Sequence, residues 1–337
     1  MATAVLGFAL TPAASAQPAP TRSSAIGAQT HDQALADANA ALQAGEADKA
    51  LALLASMPQS GPLQAQTLNV LCRVRYTLEQ FDAAAAACEQ AVRLDGQNSD
   101  YHLWFGRAQG EKAARASFLT AFSLAKRTRA EFEEAVQLNP GNVEALISLG
   151  DFYRQAPGVV GGGVDRAQAI AADLDKVDAA RALELRGNIA EQQKDYSTAE
   201  REFKQATTMG GHPALAWTNL AGFYGRRHRY AEMESAMRTA MNAAVHDRHS
   251  GVALYDGAGL LTESNRDPAL AATMLDDYLT GSSKTEEAPA FIAHIRLARL
   301  KQQLGDPAAA DRERAAALAL AREYKPAQDF RAQVATP

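Results

Sequence analysis

Between Leu149 and Ala171 the chain reads LGDFYRQAPGVVGGGVDRAQAIA, a run of glycines ahead of a helix-like stretch. Glycines in that position expose backbone N–H groups that can hold phosphate, and the positive end of the following helix helps them. The residues that follow argue against such chemistry. A phosphate loop of the G-x-x-x-x-G-K-[ST] kind needs a Lys and a hydroxyl where the helix starts. Val164-Asp165-Arg166 supplies an acid there and no Ser or Thr. Pro157 stops one helix, and Gly158 and Gly161 to Gly163 let the chain double back. The run is therefore expected to be an enlarged turn over residues 156–163.

The other residues with chemical potential are scattered. The seven histidines are His31, His102, His212, His228, His246, His249 and His294. The close pair in His246-Asp247-Arg248-His249 lacks the Glu of H-E-x-x-H and reads as a turn, so no metal is expected. His102, beside Tyr101 and Trp104, reads as a packing or hydrogen-bonding residue. There is no G-x-S-x-G, and neither Cys stands where a thiolate would be prepared. Glu133-Glu134 and Asp276-Asp277 are adjacent and point in different directions on a helix, which suits solvated faces rather than paired acids. No catalytic residue is assigned, no cofactor is expected, and an enzyme is the less favoured reading.

The charge balance of 34 Lys+Arg against 39 Asp+Glu gives a net charge of -5. With no basic stripe interleaved with aromatics, nucleic acid is not an expected partner. Residues 1–16 resemble a signal peptide: an apolar run from Ala4 to Leu10, then Ala14-Ser15-Ala16 as a cleavage site, though without a Lys or Arg in front. Residues 17–30, rich in Pro, Ser and Ala, read as a flexible linker. The expected location is periplasmic or secreted. No stretch supplies the roughly 20 apolar residues of a membrane span.

The elements that position these residues repeat. Tyr196 and Tyr230, Phe203 and Met237, Ala206 and Ala240, and Gly187 and Ala221 each stand 34 residues apart. Trp217, Leu220, Ala221 and Tyr224 fall on one helical face, with a small residue where two helices cross and large ones beside it. Phe81 to Leu94, Gln137 to Pro140 and Leu146 to Tyr153 fit the same frame. Asp267-Pro268 and Asp306-Pro307 are helix starts, and a degenerate copy covers Leu35 to Ala55. The stretch after Gly110 is about ten residues longer than the frame, so either a lengthened helix or a second enlarged turn is expected near 111–128.

This W-x2-L-G/A-x2-Y pattern at a period of 34 resembles the tetratricopeptide repeat (TPR). The resemblance implies an all-α, TPR-type helix-hairpin solenoid, a right-handed superhelix of about seven helix pairs over residues 31–337. YHLWFGRAQG, Ala121-Phe122, EFEEAVQLNPGNVEALISLGDFY and QAPGVVGGG resemble exported bacterial TPR proteins. More distantly, Tyr101 to Tyr153 is similar to the regulator of microtubule dynamics family.

The resemblance implies a non-catalytic scaffold whose concave groove binds a protein or peptide. The first-helix positions that would line the groove are Arg107, Glu111, Asp151, Arg154, Glu184, Asn188, Thr218 and Arg226. They mix signs and lack a recurring Lys and Asn clamp for a terminal carboxylate, which suits an extended polar peptide. In the same frame Cys72 takes a small-residue slot and Cys88 the facing one. They are a candidate disulfide if the protein is exported, or otherwise two buried thiols. The alternative function is an enzyme or small-ligand receptor using the enlarged loops around Phe118 and Val159. Partner identity and oligomeric state stay open.

Overall fold

The computed structural model describes residues 22–58 and 60–331, with side chains from residue 31 onward. The signal-like segment 1–16 lies outside the described residues. The first pair is α1 (Arg22–Gln43) and α2 (Ala47–Ala55), followed by α3 (Gln64–Thr77) with α4 (Phe81–Leu94) and α5 (Ser99–Arg115) with α6 (Phe118–Leu138). Next come α7 (Val143–Gln155) with α8 (Val164–Leu174), α9 (Ala179–Gln192) with α10 (Tyr196–Ala206), and α11 (Pro213–Arg226) with α12 (Tyr230–Ala244). α13 (Gly251–Glu263) pairs with α14 (Pro268–Thr280), α15 (Ala290–Gln303) with α16 (Pro307–Leu320), and α17 (Lys325–Asp329) ends the fold. The result is an all-α solenoid of the tetratricopeptide type, in which each helix packs on its neighbours in the chain. There are eight helix pairs among the described residues, against the expected number of about seven.

Local chemistry sets the helix boundaries. Side chains of Asn142, Asp178, Asp195, Asp267 and Asp306 accept hydrogen bonds from backbone N–H groups in the first turn of the helix each precedes, groups that have no partner within the helix itself. Within several pairs the turn needs one residue in the left-handed region. Gly45 and Gly305 fill it at the two ends, whereas Glu79, Lys194, His228 and Asn265 fill it in between.

Where paired helices cross, small meets large. A Cβ on Gly106 would lie 2.5 Å from the Phe132 ring, and one on Gly187 3.0 Å from Phe203. In the second pair both slots are Cys: Cys72 and Cys88, both fully buried, are bonded with their Cα atoms 5.2 Å apart.

One open alternative is decided, and one stretch differs from its sequence reading. Near 111–128 there is no enlarged turn, because α5 continues to Arg115 and α6 begins at Phe118. The added length is helix, consistent with a stretch rich in Ala and free of Gly and Pro between Glu111 and Phe132. The hairpin tip leaves Phe118 and Leu119 more than four-fifths exposed. Part of the segment 17–30, read as a linker, is helix, since α1 begins at Arg22.

The turn at 156–163 is closed on itself. The N–H groups of Gly161, Gly162 and Gly163 donate to Gly158, Pro157 and Tyr153 carbonyls, and Arg166 donates to Gly161 O at 2.9 Å. The donors a phosphate would use are already taken.

The ends of the solenoid meet. Leu35, Leu42, Leu54 and Leu78 share one apolar core with Phe291, Ile295 and Tyr324. Gly45 packs so closely on the start of α15 that a Cβ there would lie 2.5 Å from Ala290 N. Asp48 accepts from Arg322 and Glu79 from the Tyr324 hydroxyl, at 3.1 and 3.3 Å. The first and last pairs thus seal a ring, and the concave face becomes a central cavity.

Candidate functional site

The cavity has three lobes of about 380, 540 and 500 Å³, all touching Asp256. Most of its wall comes from α3, α5, α7, α9, α11, α13 and α15, the first helices of seven pairs, with Gln43 of α1, the non-helical residues 282–287, and a few residues of turns and second helices such as Phe81 and Phe203. The repeat explains this arrangement. In four of these helices the sixth residue faces inward: Trp104 in α5, Glu184 in α9, Thr218 in α11 and Asp256 in α13.

Seven of the eight groove residues chosen from the sequence line the cavity. Asp151, Glu184, Asn188, Thr218 and Arg226 border the first lobe, and Arg107 and Glu111 the third. Arg154 lines none of the three lobes; its guanidinium lies along Asp151, at 2.8 and 3.0 Å. Thr218 is 1% exposed and donates to Ala253 O, which leaves it mainly a packing residue. Glu184 is buried against Arg181 at 2.9 Å and bonded to Asn219; burial is the largest influence and pushes its carboxyl up. Arg226 holds Glu191 through three hydrogen bonds of 2.8 to 3.1 Å.

The sequence reading missed the centre. Asp256 accepts no hydrogen bond among the described residues, and although its side chain is exposed on the cavity wall, desolvation by the surrounding protein pushes its carboxyl up to about 6. Arg296 stands near it without an ion pair among the described residues, its guanidinium 3.9 Å from the centre of the Tyr255 ring. Stacking on an aromatic face fixes the guanidinium plane while its N–H edges stay free. Across the third lobe Arg107 stacks on Trp104 at 4.8 Å and meets Glu144 at 2.5 Å. The signal that could have found Asp256 is its place in the helix, because Asp256, like Glu184 and Thr218, is the sixth residue of a first helix.

This cavity offers hydrogen-bond donors and acceptors, and charges of both signs, along a concave surface. His212 and His249 lie edge to face at 5.2 Å in the second lobe, and no group of three metal-binding side chains occurs among the described residues. No described helix is long and apolar enough to cross a membrane.

No family model and no curated protein matches the chain. Solved structures that resemble it include a tetratricopeptide repeat protein from Parabacteroides merdae, with 13% identity and a TM-score of 0.44 over 89% of this chain and 97% of that one. A thermophilic TPR protein of Thermus thermophilus has 21% identity and a TM-score of 0.42, over 59% and 99% of the two chains. PilF of Pseudomonas aeruginosa has 15% identity and a TM-score of 0.36, over 70% and 97%.

Proposed function

We propose that the protein is a non-catalytic binding scaffold that acts outside the cytoplasm and holds an extended polar peptide segment of a partner in its central cavity. The observation that supports this best is the register of the first helices, which brings Trp104, Glu184 and Asp256 to one inner surface. An extended backbone presents N–H and C=O groups in alternation, and a wall with Asn188, Asn219, Arg296 and Asp256 meets both kinds. The extracytoplasmic part of the reading rests on the signal-like residues 1–16, the likeness to exported bacterial TPR proteins and the Cys72–Cys88 bond, which persists in oxidising compartments. The likeness to the regulator of microtubule dynamics family adds only the expectation of a protein partner.

The test is crosslinking of the protein in its own cells, with and without the paired substitution of Arg226 and Arg296 by Glu. Retention of the attached partner should fall more than tenfold, about 1.4 kcal/mol, while the helical circular dichroism is unchanged. Undiminished capture, lost instead on shortening the 158–163 turn, would move the site to that turn.

A further inference from the structure

The chain between α14 and α15 runs along the cavity and forms part of its wall. Ser282, Ser283, Lys284, Thr285 and Glu287 line the second lobe, and Glu286 and Glu287 the third. Glu286 is gripped as a ligand would be. Arg73 Nε donates to its Oε2 at 2.8 Å and Nη2 to its Oε1 at 2.5 Å, a two-point fit of planar guanidinium to planar carboxylate. Gln43 reads the same residue twice, donating to Oε1 at 2.9 Å and accepting the Glu286 backbone N–H at 3.2 Å. Two residues on, the Ala288 carbonyl accepts from the Tyr278 hydroxyl.

The acceptor for these carboxylates is built. Arg73 and Arg107 both lie over the Trp104 ring, 5.6 and 4.8 Å from its centre, and Arg107 also meets Glu144 at 2.5 Å, so both guanidiniums are held in place independently of the strap. Arg73 is further fixed by donating to Asn39 at 3.0 Å. The second contact is the looser one: Glu287 Oε1 lies 3.6 Å from Arg107. Burial, and then the nearby Glu144, push the Glu287 carboxyl up, so its charge is poorly served where it stands. The segment thus has one tight anchor and one loose one, with open cavity on either side.

We infer that the Arg73–Trp104–Arg107 corner is an acceptor for an acidic extended peptide, and that the chain's own residues 282–288 occupy it in cis. A partner segment with two adjacent carboxylates on an extended backbone displaces this strap to enter. This rests on reading the cavity as a peptide-binding surface and adds to it the chemistry of the ligand and an internal competitor.

The experiment uses the full chain carrying Trp217→Phe, so that Trp104 is the one remaining fluorophore of its kind. The strap acids are removed with Glu286→Ser and Glu287→Ser. The probes are two synthetic peptides, GSSKTEEAPA and its neutral counterpart GSSKTQQAPA. The acidic peptide should change Trp104 emission and bind the strap variant at least tenfold more tightly than the unaltered strap, while the neutral one binds neither. Absence of binding to the variant, or equal affinity for the variant and the unaltered strap, overturns the inference. Equal binding of both peptides overturns the acidic site and leaves the peptide cavity standing. Failure of both peptides, together with partner capture that survives substitution of Arg226 and Arg296, removes the cavity reading as well. If the double variant loses its helical signal, Glu286→Gln with Glu287→Gln carries the same comparison, because each amide keeps the shape and one hydrogen-bond acceptor while removing the charge that competes for the two arginines.

Discussion

Arg73 on α3 and Glu286 ahead of α15 are joined by paired hydrogen bonds across 213 positions of sequence, both largely shielded from water. They tie the last hairpin to the start of the chain. Removing one member of such a pair leaves the other buried and unpaired, which costs more than the pair contributes net. Arg73→Ala should therefore lower the unfolding free energy by about 3 kcal/mol, and the additional Glu286→Ala should cost much less than a second such step. Urea unfolding of the two single variants and the double variant checks this, and simple additivity would show that the two residues act independently.

Cys72 and Cys88 close a short loop with a separation of 16 residues. By the chain-entropy argument, a bond over that span stabilises by about 3 kcal/mol. Protein taken from an oxidising compartment and unfolded without reductant should show no reactive thiol, and reduction should lower its urea midpoint. Labelling of both thiols under those conditions would mean that the pair is free.

Asp256 sits among Arg296, Arg181 and Glu263, and desolvation by the surrounding protein, the largest influence, pushes its carboxyl up to about 6. Unfolded, it titrates near the usual carboxylate value of about 3.9. Between those two pH values the native state binds more protons at this site than the unfolded state does, so the contribution of Asp256 to stability falls as pH rises from about 4 to about 6 and then levels off. Asp256→Asn removes the dependence. The gap between the variant and the wild type in urea midpoint should widen in favour of the variant across that window and stay flat above it. A constant gap would mean that the carboxyl titrates normally.

Lys194 holds the α9–α10 turn at a φ of 65°, where a side chain is strained and glycine is not. Its equivalents in the first and last pairs, Gly45 and Gly305, are glycine. Lys194→Gly should raise stability by up to about 1 kcal/mol, the relief of strain being offset in part by the greater freedom of glycine in the unfolded chain. A thermal melt that falls instead would show that the Lys side chain contributes contacts beyond its turn.

The pairing of helices was legible because it depends on neighbours in sequence. Tyr196 and Tyr230 announce the step, and Gly187 facing Phe203 is the small-to-large contact that the pattern implies. Closure was not legible. It depends on how the rotation between successive pairs accumulates, and the contacts that record it, such as Gln43 with Glu286, join residues 243 positions apart. For the cavity, the register stopped one pair short at Thr218, although the next sixth position is Asp256. Arg154 went astray for a different reason: a helix end offers a long side chain several directions, and Asp151 takes it along the helix. The added length after Gly110 could be helix or loop by count alone, and its Ala-rich composition was the clue that it would be helix.

A linear array of helix hairpins frays from its two ends, since each terminal unit has one neighbour where the others have two. The shared core of Leu42, Leu54, Phe291 and Tyr324 gives both terminal units a second neighbour. Such a molecule has no weak end from which to unzip. Its opening must begin at a seam, and whichever seam opens first also decides whether a long chain can be laid in sideways or has to be fed through end-on.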